Sequence, residues 1–89
     1  MYILDGSNMT TKKDAYDEIR QKLEIQDYMG ANLDALKDVL TTTRGDVTLI
    51  HACHMLNALG RYGCRILEVF FDAAEENSYL TFSLGSHAK

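Results

Sequence analysis

The chain has 89 residues, 46% of them hydrophobic, which is enough for one modest core and a single domain. Thirteen acidic against nine basic side chains leave a formal net charge of -4, which argues against nucleic acid as a direct ligand and favours a basic protein as partner. No apolar run approaches the roughly 18 residues of a membrane span, and the apolar start of "MYILDGSN" ends at Asp5 without a cationic leader, so the chain is expected in the cytoplasm and away from membranes.

In chain order, "YIL" before Asp5-Gly6-Ser7-Asn8 reads as a short buried strand followed by a turn. From Lys12 to Leu23 the apolar residues Ala15, Ile19 and Leu23 recur every fourth position, with Thr11 as N-cap and Asp14 three residues on, which predicts a helix. Gly30 breaks the chain before a second helix, for which Asn32 is the N-cap and Leu33, Leu36 and Leu40 form the inner stripe; Thr41-Thr42-Thr43 and Gly45 end it. "VTLIHA" reads as an apolar strand. "HMLNAL" is a short helical piece that stops at Gly60, and a longer helix runs from about Arg61 to Glu76 with Ile66, Val69, Phe70 and Ala73 inward. The last strand, "YLTFSL", alternates, with Leu80, Phe82 and Leu84 on one side and Thr81 and Ser83 on the other. Strands separated by helices pair in parallel, so the expected fold is a two-layer α/β domain over 1–84, with a disordered tail over 85–89.

Two placements of charge run against local stability. At 100° per residue from Leu33, the three leucines of the second helix centre near about 320°, while Asp34 and Asp38 fall at about 100° and 140° on the outer face. Asp34 suits the first turn and can pair with Lys37 at i+3. Asp38 sits in the C-terminal half, one turn after a like charge, at a combined cost of about 1 kcal/mol. In the long helix Glu68, Asp72, Glu75 and Glu76 crowd the C-terminal half behind Arg61 and Arg65, the reverse of what the dipole favours. Such repeated breaks in local rules point to a binding surface, although a solvated face would also carry them.

A different chemistry is offered by "HACH". His51, Cys53 and His54 are potential metal ligands or a thiol site, but in an extended segment His51 and Cys53 share one face while His54 points away, and no acid lies nearby in sequence to orient them. The residues read instead as a partly buried thiol and two loop imidazoles. Cys53 and Cys64 are too few for a disulfide framework and are expected as buried free thiols. With no Gly-rich phosphate loop and no nucleophile-elbow motif, no cofactor, no metal and no catalytic residue is predicted.

"LEIQDYMGANLDALKDVL", from Leu23 to Leu40, resembles the signature segment of the barstar family, intracellular inhibitors of secreted bacterial ribonucleases, and "ILEVFFDAAEEN" with "YLTFSL" resembles the family's last helix and strand. The pattern Tyr-x-Gly-x-Asn-Leu-Asp-Ala-Leu-x-Asp from Tyr28 to Asp38 carries the likeness, which extends over nearly the whole chain. The resemblance implies a small three-stranded parallel sheet packed against helices and, as partner, a basic ribonuclease of the secreted or toxin type bound 1:1, as by an immunity protein. It implies that the second helix and the preceding loop plug the enzyme's active site, with Asp38 in the place of a substrate phosphate. Asp34 and Asp72 would then pair with basic side chains at the rim, Tyr28 would pack on the catalytic base, and Gly30 and Asn32 would shape the loop. Met29, Ala31 and Lys37 depart from the family's tyrosine, glutamate and tryptophan, which implies a related nuclease with a different rim. The same fold serving a non-ribonuclease partner is the alternative.

Overall fold

The structure, a computed structural model, describes residues 1–25 and 32–85. Its elements are β1 (Tyr2–Asp5), a 3-10 turn over Gly6–Asn8, α1 (Lys12–Lys22), α2 (Leu33–Leu40), β2 (Gly45–Ile50), α3 (Ala52–Leu59), α4 (Arg61–Glu76) and β3 (Leu80–Leu84). The strands form one parallel sheet in the order β1-β2-β3, with Tyr2, Val47 and Phe82 in one row and Leu4, Leu49 and Leu84 in another. Because alternate residues of a strand face opposite ways, these rows put Leu4, Val47, Leu49 and Leu80 on the buried face. The other face carries Ile3, Asp46, Thr81 and Ser83, all exposed, and Thr81 Oγ1 donates to Asp46 there at 2.6 Å. The helices therefore cover one side only, as the half-polar last strand implies. Ile19, Leu36, Leu40, Met55, Ile66 and Phe70 fill the space between the layers.

Local signals place the helix ends. Thr11 accepts from the Asp14 amide at the start of α1, and Asn32 accepts from the amides of Asp34 and Ala35 at the start of α2. At the end of α1 the Ile25 amide donates to Arg20 O (3.0 Å) and the Glu24 amide to Gln21 O (3.3 Å), a Schellman closure with Glu24 in the left-handed region at φ 55°.

The second strand differs from its expected span. It begins at Gly45 and ends at Ile50; His51 turns left-handed (φ 55°, ψ 40°) and α3 starts at Ala52 rather than at His54. The reason is tertiary. His51 Nδ1 lies 2.9 Å from Asp5 Oδ1, and its carbonyl packs so closely on Gly6 that a Cβ there would collide with it. The contact joins the ends of β1 and β2, 46 residues apart in sequence. Next to it lies Glu18, 6% exposed, the one buried charged side chain among the described residues. Its carboxylate accepts from the Asp5 amide (3.0 Å), Asn8 Nδ2 (3.3 Å) and Lys22 Nζ (2.8 Å), which satisfies it and pins β1 to α1.

At the opposite end of the sheet Asn77, the C-cap of α4, reaches across to α2. Its Nδ2 donates to Leu40 O (3.1 Å) and Thr43 O (2.8 Å), and its Oδ1 accepts from the Tyr79 amide (3.0 Å). One amide thereby joins the end of α2 to the turn that leads into β3.

Two outcomes are expected. Asn77→Ala removes the side-chain donor of the Thr43 carbonyl and leaves the Leu40 carbonyl only the Thr43 amide, and it lowers stability by about 1 to 3 kcal/mol in urea titration; a variant as stable as the wild type would mean that water replaces the amide. For Asp5, hydrogen bonds from Ser7, with a further one to His51, hold the carboxyl at about 2, below its ordinary 3.8. A depressed carboxyl contributes stability above its unfolded value and loses it as pH falls through the folded one, so Asp5→Asn is less stable than the wild type near neutrality and the gap closes between about pH 4 and pH 2. A gap that does not change with pH would refute the linkage.

Candidate functional site

An eight-residue helix buries little, so the setting of α2 depends on a few contacts. Leu36 and Leu40 are fully buried, Leu33 is half-buried, and Ala35 and Val39 pack on the core edge. With that stripe inward, Asp34 and Asp38 both stand exposed on the far side, as the periodicity predicts. Neither carboxylate has a side-chain partner among the described residues.

The C-terminal end of the helix is closed by neutral donors. Thr41 Oγ1 donates to Asp38 O (2.7 Å), while Thr42 Oγ1 (3.0 Å) and Thr43 Oγ1 (2.9 Å) donate to Val39 O. Together with the Asn77 amide on Leu40 O, they satisfy carbonyls that a lysine or arginine often meets elsewhere. The threonines that end the helix also cap it through their hydroxyls.

Lys37 does not pair with Asp34 as its i+3 spacing suggests. Its ammonium lies 3.2 Å from Glu76 Oε2 on α4, with the two side chains 32% and 60% exposed. On the helical wheel Lys37 falls about 60° from Asp34, between the acids and the buried stripe, and this is the flank that α4 occupies. Asp72 stands one turn before Glu76 on α4, exposed, beside the buried Ala73. The packing of α2 on α4 thus brings Lys37 of one helix to Glu76 of the other. Asn32 caps α2 at that surface. Tyr28 and Gly30, with Met29 and Ala31, lie outside the described residues.

The "HACH" segment corrects two expectations, its extended conformation and the burial of the thiols. It is the start of a helix rather than an extended strand end, so His51 and His54 approach edge to face with ring centroids 5.7 Å apart. An acid does orient His51, but it is Asp5, which sequence proximity could not reveal. Both thiols are exposed instead of buried, because Cys53 lies on the outer side of α3 and Cys64 on that of α4. Among the described residues no group of three His, Cys, Asp or Glu side chains could hold a metal ion, and no helix is long and apolar enough to cross a membrane.

Comparison with known proteins agrees with the resemblance. The family model described as Barstar (barnase inhibitor) matches residues 1–84. The candidate ribonuclease inhibitor YrdF of Bacillus subtilis (strain 168) is 38% identical, over 83% of this chain and 85% of that protein. With its parallel three-stranded sheet, its one-sided helical layer and a family match across nearly all its length, the chain belongs to the barstar family.

Proposed function

We propose that this protein is a cytoplasmic inhibitor of a basic, secreted or toxin-type ribonuclease, an immunity protein that binds 1:1 and blocks the active site with α2 and the loop before it. The observation that carries the reading is the pair of carboxylates, Asp34 and Asp38, without a side-chain partner among the described residues and aimed outward from a helix whose other face is locked into the core. The family match and the name of its Bacillus relative support the same reading.

The chemistry is complementary. A ribonuclease surrounds its scissile phosphate with Arg, Lys and His, and those groups donate charge-assisted hydrogen bonds to any anion of the right reach. Asp38 is that anion, held by a rigid helix so that little conformational freedom is lost on binding. Asp34 and Asp72 meet cations on the rim, and Asn32, Gly30 and Tyr28 form the loop side of the plug. Inhibition comes from occlusion, with no reaction on the inhibitor. A net charge of -4 steers the encounter with a basic enzyme.

The direct test is to titrate the protein into barnase, and into a small extracellular ribonuclease purified from the same organism, while RNA cleavage is followed. Loss of activity at one equivalent is expected; full activity of both enzymes at excess inhibitor would sink the proposal in favour of a non-ribonuclease partner. Asp38→Ala is expected to weaken inhibition by about 2 kcal/mol or more, roughly 30-fold in Kd, and Asp34→Ala by less. The fold of Asp38→Ala stays intact and gains up to about 1 kcal/mol, since a misplaced acid has gone. Equal inhibition constants for Asp38→Ala and the wild type would remove the phosphate-mimic role. Stopped-flow association is expected to slow as salt rises, and an on-rate indifferent to salt would remove the steering role.

A further inference from the structure

The pairing of Lys37 invites a question of charge placement. Lys37 is the only cation on α2, it is three residues from Asp34 and adjacent to Asp38, and an i,i+3 pair with Asp34 is the contact that helix geometry offers. The structure shows another partner, Glu76 Oε2 at 3.2 Å on the neighbouring helix. So exposed a pair contributes little to stability. Its consequence is electrostatic. Held against α4, the ammonium pairs with an acid outside the outward face of α2 and leaves both acids of that face without a paired cation among the described residues.

We infer that Glu76 is a positioning residue for the inhibitory surface: it draws the Lys37 ammonium away from Asp34, so that α2 presents two uncompensated carboxylates to a cationic cleft. The inference rests on the proposed inhibitor function for its purpose, though not for its geometry. Two features support it. The neutral closure of α2 by three threonines and Asn77 likewise brings no cation near Asp38. Arg44, the next cation along the chain, is engaged elsewhere, with its guanidinium 4.8 Å from the centre of the Tyr79 ring.

Glu76→Gln keeps the shape and removes the attraction. In isotope-labelled protein, couplings between the lysine 15Nζ and side-chain 13C nuclei report which carboxylate Lys37 bonds. The wild type is expected to show Glu76, and E76Q to show Asp34. In the same variants, association with whichever of the two ribonucleases the wild type inhibits is expected to slow by about threefold or more in E76Q and to recover in K37M/E76Q, which has the wild-type net charge but no cation to misplace. E75Q, with the same change of net charge as E76Q, is expected to slow association less.

Failure of Lys37 to transfer to Asp34 in E76Q would overturn the inference. So would an E76Q defect that persists in K37M/E76Q, which would make Glu76 a direct contact of the enzyme, or an E75Q defect as large as that of E76Q. If wild-type protein leaves barnase and its own organism's ribonuclease fully active, the inhibitor reading fails by itself, and the labelled-lysine measurement still decides the pairing.

Discussion

The surface proposed to meet a ribonuclease depends on how one short helix is seated. Eight residues of α2 would not hold a helix alone, because nucleation is unfavourable and so few hydrogen bonds follow it. Burial of Leu36 and Leu40, worth about 1.5 to 3 kcal/mol each, supplies the missing stability and fixes rotation at the same time. A slip of one residue would turn the helix by about 100°, carrying Asp38 to its flank and a charged side chain towards the core. The packing that makes α2 exist is thus the packing that aims its carboxylates.

The helix ends show how stability and charge placement are reconciled. An acid in the last turns of a helix faces the negative end of the dipole, and the usual remedy is a cation nearby. A cation beside Asp38 would cancel the charge that the proposed inhibitory surface presents. Neutral donors solve the conflict: threonine hydroxyls on Asp38 O and Val39 O, and the Asn77 amide on Leu40 O, satisfy carbonyls without neutralising the carboxylate. The one lysine of the helix is turned to Glu76. Structural satisfaction and an uncompensated acidic face therefore coexist within one short segment.

Much of this was legible in the sequence, and the parts that were not share a cause. Helix starts at Thr11 and Asn32, the span of α4, the inner stripe of α2 and the alternation of β3 all follow from interactions within a turn or two of chain. The errors came where a distant residue decides the outcome. His51 leaves the strand because Asp5 and Gly6 meet it from β1, Lys37 turns to α4 instead of to its own helix, and the thiols are exposed because their helices pack by other faces. Each competing local contact is worth only a few tenths of a kcal/mol, so tertiary partners override it easily. For the site, the residue types and their common face could be read from periodicity; the closeness of α2 to α4 needed the fold.

The two ends of the sheet have diverged in a way that bears on function. Open parallel α/β sheets commonly bind small ligands in a crevice outside the carboxyl ends of their strands. Here that end is closed between β1 and β2. Asp5 joins His51, Gly6 is pressed on the His51 carbonyl with no room for a Cβ, and the Glu18 carboxylate fills its hydrogen bonds with Asp5, Asn8 and Lys22. The opposite end, where Asn77 ties α2 to the approach of β3, anchors the acidic face. Between the ends of β1 and β2 the usual place for a substrate is occupied by structure, while Asp34, Asp38 and Asp72 stand exposed on the helical layer. Such an arrangement suits a protein that enters another molecule's cleft better than one that encloses a substrate in its own.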